Sequence, residues 1–200
     1  AATTAGGNCA YATFVANYDC PTTTGCPNLL EVGTYMPMVC QYDYIELYAL
    51  FNTPTGTTSG AIVNWYAMDG TMYTGENVAI PAVMDGFNAC ESLNIFEYEV
   101  LCDLDGDGNP DFIEGGAVTV VVYPQITAFV TDGGCQATVE VPCPSWEINW
   151  TDDLGNTGAG NVYNAMSGTS GGVYFNIFNP AIATASGGNC GYGTYTAMYD

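Results

Sequence analysis

The chain has 200 residues, of which 21 are Asp or Glu and none is Lys, Arg or His, giving a formal net charge of −21 at pH 7. It therefore lacks the imidazole of triad hydrolysis, the Schiff-base lysine and the guanidinium phosphate clamp. A polyanion of this kind excludes nucleic acid and membrane insertion at an anionic surface, and leaves cations, neutral glycans or other copies of itself as partners.

At roughly 12% basic residues in an average chain, their absence from 200 positions has a chance probability on the order of 10⁻¹¹. An extracellular protein gains from that absence, because it offers no Lys- or Arg-directed protease site. Hydrophobic residues at 48% and aromatics at 13% are enough to bury a core.

Short β-branched and aromatic runs recur between Gly, Asn, Asp and Pro clusters, without helical periodicity, and predict an all-β chain. In chain order the expected strands are 10–18, 42–51, 61–67, 93–101, 117–122, 126–131, 137–141, 146–150, 173–178 and 193–199. That density predicts sandwiches. The longest apolar stretch, 117–130, is broken by Pro124 and Gln125 and is too short for a membrane helix. No signal peptide stands at the N-terminus, so Ala1 is expected to begin a mature or cropped chain.

Residues 1–19, AATTAGGNCAYATFVANYD, align without gaps on residues 182–200, IATASGGNCGYGTYTAMYD, with 11 of 19 identical at an offset of 181. A weaker echo sets Asn64-Trp65, Gly70 and Asn77-Val78 against Asn149-Trp150, Gly155 and Asn161-Val162. Three readings of the terminal copy stay open: domain duplication, one period of a tandem-repeat chain, and assembly in which a terminal strand fills its counterpart's place in a neighbour.

Nine cysteines, Cys9, Cys20, Cys26, Cys40, Cys90, Cys102, Cys135, Cys143 and Cys190, indicate an oxidising, exported setting. CxxC spacing is absent, and only Cys20 and Cys26 form a tight local pair. A straight strand would hold Cys90 and Cys102 roughly 40 Å apart, and Cys135 and Cys143 roughly 26 Å apart, so neither pair bonds within its own strand. Cys190 is the counterpart of Cys9, so one 181-residue period carries eight cysteines.

Residues 103–114, DLDGDGNPDFIE, place Asp103, Asp105, Asp107, Asp111 and Glu114 at loop positions 1, 3, 5, 9 and 12, with Gly108 at 6 and the Asn109 carbonyl at 7. Alternating carboxylates around a glycine turn supply the six to eight oxygens that Ca²⁺ needs. The loop resembles the calcium loops of EF-hands, dockerins and thrombospondin type 3 repeats. It departs from them at Pro110 and in its strand-like flanks, which fits a rigid staple better than a helix-opening switch.

Residues 126–141, ITAFVTDGGCQATVEV, and the Asn-Trp strands resemble tandem Ig-like or PKD-type modules of secreted bacterial adhesins and surface fibres. The resemblance implies a surface or fibre-forming β protein, not an activity. Asn149-Trp150-Thr151 is the one N-glycosylation sequon, and the Thr-rich stretches 22–24 and 53–58 are possible O-glycan carriers. Glu97 with Glu99, and Asp152 with Asp153, are the acid pairs a glycosidase reading would use, but neighbouring acids are ordinarily solvated and no enzyme is expected.

The expectation is two Ig-like β-sandwich modules, residues 1–114 and 115–200, disulfide-rich and joined near the calcium loop. Their function would be assembly, as the repeating subunit of an extracellular filament, a helical polymer or a surface layer. The alternative is a glycan-binding or adhesive module of a larger cell-surface protein, with Trp65, Trp146 and Trp150 as an exposed stacking platform.

Overall fold

The computed structural model describes residues 26–53, 60–84, 90–103, 106–182 and 189–200. The expected strand 10–18, with Cys9, Cys20 and Asp105, lies outside the described residues.

Within them run β1 (Leu29–Thr34), β2 (Met38–Cys40), β3 (Tyr44–Phe51), β4 (Ile62–Tyr66), β5 (Met72–Thr74), β6 (Asn77–Pro81), β7 (Ser92–Cys102) and β8 (Asp111–Tyr123). They are followed by β9 (Phe129–Gly133), β10 (Gln136–Glu140), β11 (Glu147–Asp152), β12 (Thr157–Ala159), β13 (Val162–Asn164), β14 (Gly171–Phe178) and β15 (Tyr192–Tyr199). No helix occurs among the described residues.

Alternation builds the layers. On β3, Ile45, Leu47 and Ala49 are buried while Tyr44, Glu46 and Leu50 face out, the period-2 pattern of a half-buried strand. Sheet β1-β3-β6 faces sheet β2-β8-β7-β4-β5 across a core that includes Ile45, Leu47, Trp65, Phe96, Val100 and Val120. Sheet β13-β10-β9 faces sheet β12-β11-β14-β15 across a second core with Val139, Tyr163, Val173, Phe175, Ile177 and Ala197. These are two Ig-like sandwiches.

Strand for strand, the two sandwiches share one topology. In the first, β3 pairs with β1 and β6, β4 with β5 and β7, and β7 with β8; in the second, β10 pairs with β9 and β13, β11 with β12 and β14, and β14 with β15. The first sandwich adds β2, parallel to the end of β8. The Asn-Trp echo marks equivalent strands, β4 and β11. Each turns back through a left-handed backbone position that favours glycine, Gly70 at φ 82° and Gly155 at φ 84°. Each hairpin closes alike, Gly75 N–H to Val63 O at 2.9 Å and Gly160 N–H to Ile148 O at 2.8 Å.

The expected boundary after Glu114 does not coincide with the sheets. β8 runs through it, paired with β7 as far as Val122, and its Val118, Val120 and Val122 belong to the first core. The units meet after Tyr123, where Ile126 N–H bonds Asn189 O at 2.8 Å.

The acidic loop does not lie at the junction expected for it. It is the turn of the β7–β8 hairpin, at the pole of the first sandwich away from the junction. Two disulfides hold the junction instead: Cys40–Cys190, and Cys90–Cys143. Around the first gather Tyr123, Ile182, Met38 and Val121. The third disulfide joins Cys26 to Cys102 at the free pole, so Cys26 does not form the local pair with Cys20. Cys90 and Cys102, at opposite ends of β7, take different partners as strand length requires.

Trp65 donates its indole N–H to Gly75 O at 2.9 Å, whereas the buried indole N–H of Trp150 has no partner among the described residues. The same substitution at these equivalent places therefore has unequal effects. Trp65→Phe leaves the Gly75 carbonyl unpaired and is expected to destabilise by about 1 kcal/mol more than Trp150→Phe, read from guanidinium denaturation midpoints. Equal losses would contradict the pairing.

Candidate functional site

β15 is the strand copied at the N-terminus, so its seat is the first place to look for function. It pairs with β14 along its whole length, from Gly171 opposite Tyr199 to Phe178 opposite Tyr192. Gly193, Tyr195, Ala197 and Tyr199 face the core side, and Tyr192, Thr194, Thr196 and Met198 are exposed. In the N-terminal copy the core-side positions read Ala12, Phe14, Ala16 and Tyr18, the same small–aromatic–small–aromatic series.

The copy fits the seat with two differences. Tyr195 donates its hydroxyl to Ile126 O at 2.7 Å, a bond Phe14 cannot make. A Cβ at Gly193 would lie 2.7 Å from the Ile126 Cγ2 atom, so Ala12 would require that side chain to rotate.

At the end of β15 lies the free pole of the second sandwich. Asp200 N–H bonds Gly134 O at 3.2 Å, and the carbonyl oxygen of Asp200 is 3.9 Å from the sulfur of Cys135. Cys135 sits in the β9–β10 turn, exposed and outside any disulfide of the described residues. A cleft of about 510 Å³ opens beside it, lined by Gly133, Ser170, Met198, Tyr199 and Asp200 among others. The Tyr199 hydroxyl is buried there without a partner among the described residues.

In the acidic loop, Asp103 accepts the backbone N–H groups of Gly106 at 2.7 Å and Gly108 at 2.9 Å, and Asp107 accepts that of Asn109 at 2.7 Å. Both glycines have positive φ, 76° and 87°. Asp111 opens β8 opposite Cys102. Glu114 does not join the turn: it stands opposite Val100, beyond a register shift. Burial first, then the Glu114 carboxylate, raise the Tyr98 hydroxyl above its usual range, so Glu114 is engaged on the strand. Among the described residues, no three His, Cys, Asp or Glu side chains gather as a metal site.

The acid pairs are wired into turns and strands. Asp152, buried, accepts Leu154 N–H at 3.0 Å, Asn156 N–H at 2.8 Å, the Asn156 amide at 2.8 Å and the Tyr163 hydroxyl at 2.9 Å. Asp153 accepts Gly172 N–H at 2.6 Å and the Tyr174 hydroxyl at 3.0 Å. Glu99 takes the Asn64 amide at 2.8 Å and the Tyr66 hydroxyl; those two donors, the hydroxyl foremost, hold its carboxyl below the usual range. Glu97, two residues away on the same face, is exposed. Asp152 and Asp153 tie down backbone turns, and Glu99 joins side chains of the neighbouring strand.

The tryptophan platform is absent. Trp65 and Trp146 are buried, and Trp150 packs against the second core. Asn149 is exposed on β11, beside a shallow cleft of about 720 Å³ that Trp146 and Glu147 also line. Sequence reasoning missed which cysteines join the units; reach excluded some pairings but carried no signal for the right ones.

No protein-family model matches the chain, and no curated protein matches it. Among solved structures it is similar to a two-domain fibronectin type-III segment of chicken tenascin, at 10% identity and TM-score 0.39, covering 86% of this chain and 98% of that one. It is also similar to the central fibronectin-III array of RIM-binding protein, at 9% identity, TM-score 0.29, 87% of this chain and 69% of that one. A marsupial T cell receptor is similar at 9% identity and TM-score 0.28, with coverages of 86% and 63%.

The Asn156 amide is the main group holding the Asp152 carboxyl below the usual range, with Asn156 N–H, the Tyr163 hydroxyl and Leu154 N–H acting the same way against burial. Because the folded value is depressed, the stability Asp152 contributes is fully present above the ordinary carboxylate pKa near ~4 and is lost as pH falls through the folded value. The difference in denaturation midpoint between wild type and Asp152→Asn should therefore shrink on going from neutral to strongly acidic pH. A difference independent of pH would contradict this role.

Proposed function

We propose that this protein is a non-enzymatic structural subunit of an extracellular filament or surface assembly, whose copies join end to end through their terminal strands. The observation that carries the proposal is the copy of β15 at residues 1–19, with the core-side series preserved. A sandwich strand needs partners on its edge and a core beneath it, and the seat whose own strand carries this small–aromatic–small–aromatic series is the one β15 occupies. A second chain's residues 1–19 would take it by strand exchange. The lost Tyr195–Ile126 bond and the contact of Ala12 with Ile126 make the exchange itself slightly unfavourable, so the contact between poles has to supply the driving force for assembly.

The poles support a head-to-tail contact. Leu30 and Phe112 are exposed at the free pole of the first sandwich; Leu154, Met166 and Met198 are exposed at the free pole of the second. Apolar side chains exposed at both poles are compatible with a heterologous contact, which propagates rather than closes. Three disulfides accord with an oxidising compartment. No helix among the described residues is long and apolar enough to cross a membrane. The adhesive alternative loses its tryptophan platform.

Calcium belongs to the same proposal. Asp103 and Asp107 already turn their carboxylates onto the loop, and a carboxylate oxygen that accepts one N–H retains lone-pair capacity for a cation. The ligands would be Asp103, Asp105, Asp107, Asp111 and the Asn109 carbonyl, with water in place of Glu114. Here the ion would stiffen the free pole rather than the junction.

Electron microscopy of the full chain, beside a form lacking residues 1–19, tests the assembly. Filaments or sheets are expected from the first, and folded single particles from the second. Single particles from both would overturn the proposal. Excess chelator should loosen or shorten the assemblies; unchanged assemblies would remove calcium from the account.

A further inference from the structure

We propose that Asn149 carries an N-linked glycan whose first sugars lie against the paired rings of Phe178 and Tyr192, on the outer face of sheet β12-β11-β14-β15. The inference is independent of how copies assemble.

The two sandwiches supply their own comparison. Asn64 and Asn149 occupy equivalent places on β4 and β11, each just before a tryptophan. Asn64 is buried and engaged at both ends of its amide: the N–H donates to Glu99 Oε1 at 2.8 Å, and the carbonyl accepts the Thr74 hydroxyl at 2.9 Å. Those partners stand directly opposite it, Glu99 on β7 and Thr74 on β5. Opposite Asn149 stand Asn176 on β14 and Ala159 on β12. The Ala159 side chain has nothing to donate, and the Asn176 carbonyl is taken by the hydroxyls of Tyr192 at 2.8 Å and Thr194 at 3.0 Å. Asn149 is left exposed, its side-chain amide without a hydrogen bond among the described residues.

The residues after the two tryptophans differ in the same sense. Tyr66 follows Trp65 and gives its hydroxyl to Glu99, whereas Thr151 follows Trp150 and completes the acceptor sequence Asn-X-Thr. One place in a duplicated topology is tied into the sheet in the first sandwich and free for modification in the second.

The surroundings suit a sugar. Side chains alternate along β14, so Tyr174, Asn176 and Phe178 share the outer face while Val173, Phe175 and Ile177 fill the core. Phe178 is a diagonal neighbour of Asn149 in the antiparallel pair, roughly 7–8 Å away. Tyr192 stands opposite Phe178 on β15, 51% exposed, with the ring centroids 5.0 Å apart. Its hydroxyl is tied to Asn176 and Thr194, which fixes the ring in place. An aromatic face can cover the apolar C–H face of a pyranose, and the exposed Thr194 and Thr196 set neutral hydroxyls beside it. A shallow cleft of about 720 Å³ keeps another side of Asn149 open.

Transfer has to precede pairing of β11, because in the sheet the strand is bonded along both edges, to β12 and β14, and its acceptor amide cannot be drawn into an enzyme. That timing belongs to export, the route on which three disulfides also form. The donor is an oligosaccharide on a polyprenyl diphosphate. The Asn149 Nδ2 atom bonds to the anomeric carbon of the first sugar as the bond from that carbon to the diphosphate oxygen breaks. The amide gives one proton to a base of the transferase, the lipid diphosphate leaves, and nothing is oxidised or reduced.

The test uses the full-length chain secreted by a glycosylating eukaryotic host. Its intact mass should exceed that of the bare chain by an N-linked glycan, and peptide N-glycosidase should remove that glycan and turn Asn149 into Asp. The glycan should be lost in Asn149→Gln and in Thr151→Ala, and kept in Thr151→Ser. NMR of the wild type should show protons of the first sugars shifted upfield by the rings, and shifted back in Tyr192→Ser. A secreted, disulfide-bonded chain with Asn149 unmodified would overturn the site. Sugar proton shifts that are the same in wild type and Tyr192→Ser would overturn the stacking surface.

Discussion

With no Lys, Arg or His in the chain, every folded carboxylate must be satisfied by water or by a neutral N–H or O–H donor. That constraint shows in the carboxylates, buried and exposed alike. Asp152 gathers four donors and Asp103 two backbone N–H groups, while Glu31 and Asp153 take tyrosine hydroxyls, from Tyr48 at 2.7 Å and Tyr174 at 3.0 Å. The abundance of tyrosine follows: a phenol supplies a donor without a charge, and an aromatic face to the core. Stability must come from apolar burial, backbone ladders and disulfides, since attraction between side-chain charges is unavailable to offset 21 acids.

The same constraint explains the covalent junction. Two acidic sandwiches repel one another, and a small hydrophobic cluster around Tyr123 and Ile182 would hold them weakly. Cys40–Cys190 and Cys90–Cys143 close loops with sequence separations of 150 and 53, which in the chain-entropy account contribute about 5 and about 4 kcal/mol respectively. Both bonds fall where the described residues of the two units meet.

Much of this was legible in the sequence. Alternation located β3, β4, β7, β8, β10, β11, β14 and β15 to within a few residues, because each carries a β-branched or aromatic row facing a core. The Asn-Trp echo identified two copies of one topology. The strands that escaped, β1, β2, β5, β6, β12 and β13, are mostly short edge or flanking strands: β5 exposes Met72, and β6 ends in Pro81. Their identity is set by the partner strand and not by their own pattern. The boundary was misplaced because a turn rich in Asp and Gly looks like a linker, whereas here it is a hairpin within one sheet. The displacement of Glu114 has the same origin: spacing places it at position 12, but the bulge near Val100 and the pairing of β8 carry it away from the turn. Disulfide partners depend on the packing of whole sandwiches, which no local pattern encodes.

The most direct test of the charge constraint is the thermal midpoint of the monomeric protein in rising potassium chloride, with chelator present. Where attractive ion pairs contribute, screening removes stability; here only repulsion exists to be screened. As the Debye length falls from about 10 Å at 0.1 M to about 3 Å at 1 M salt, the midpoint should rise steadily. A midpoint that falls with salt would contradict the account.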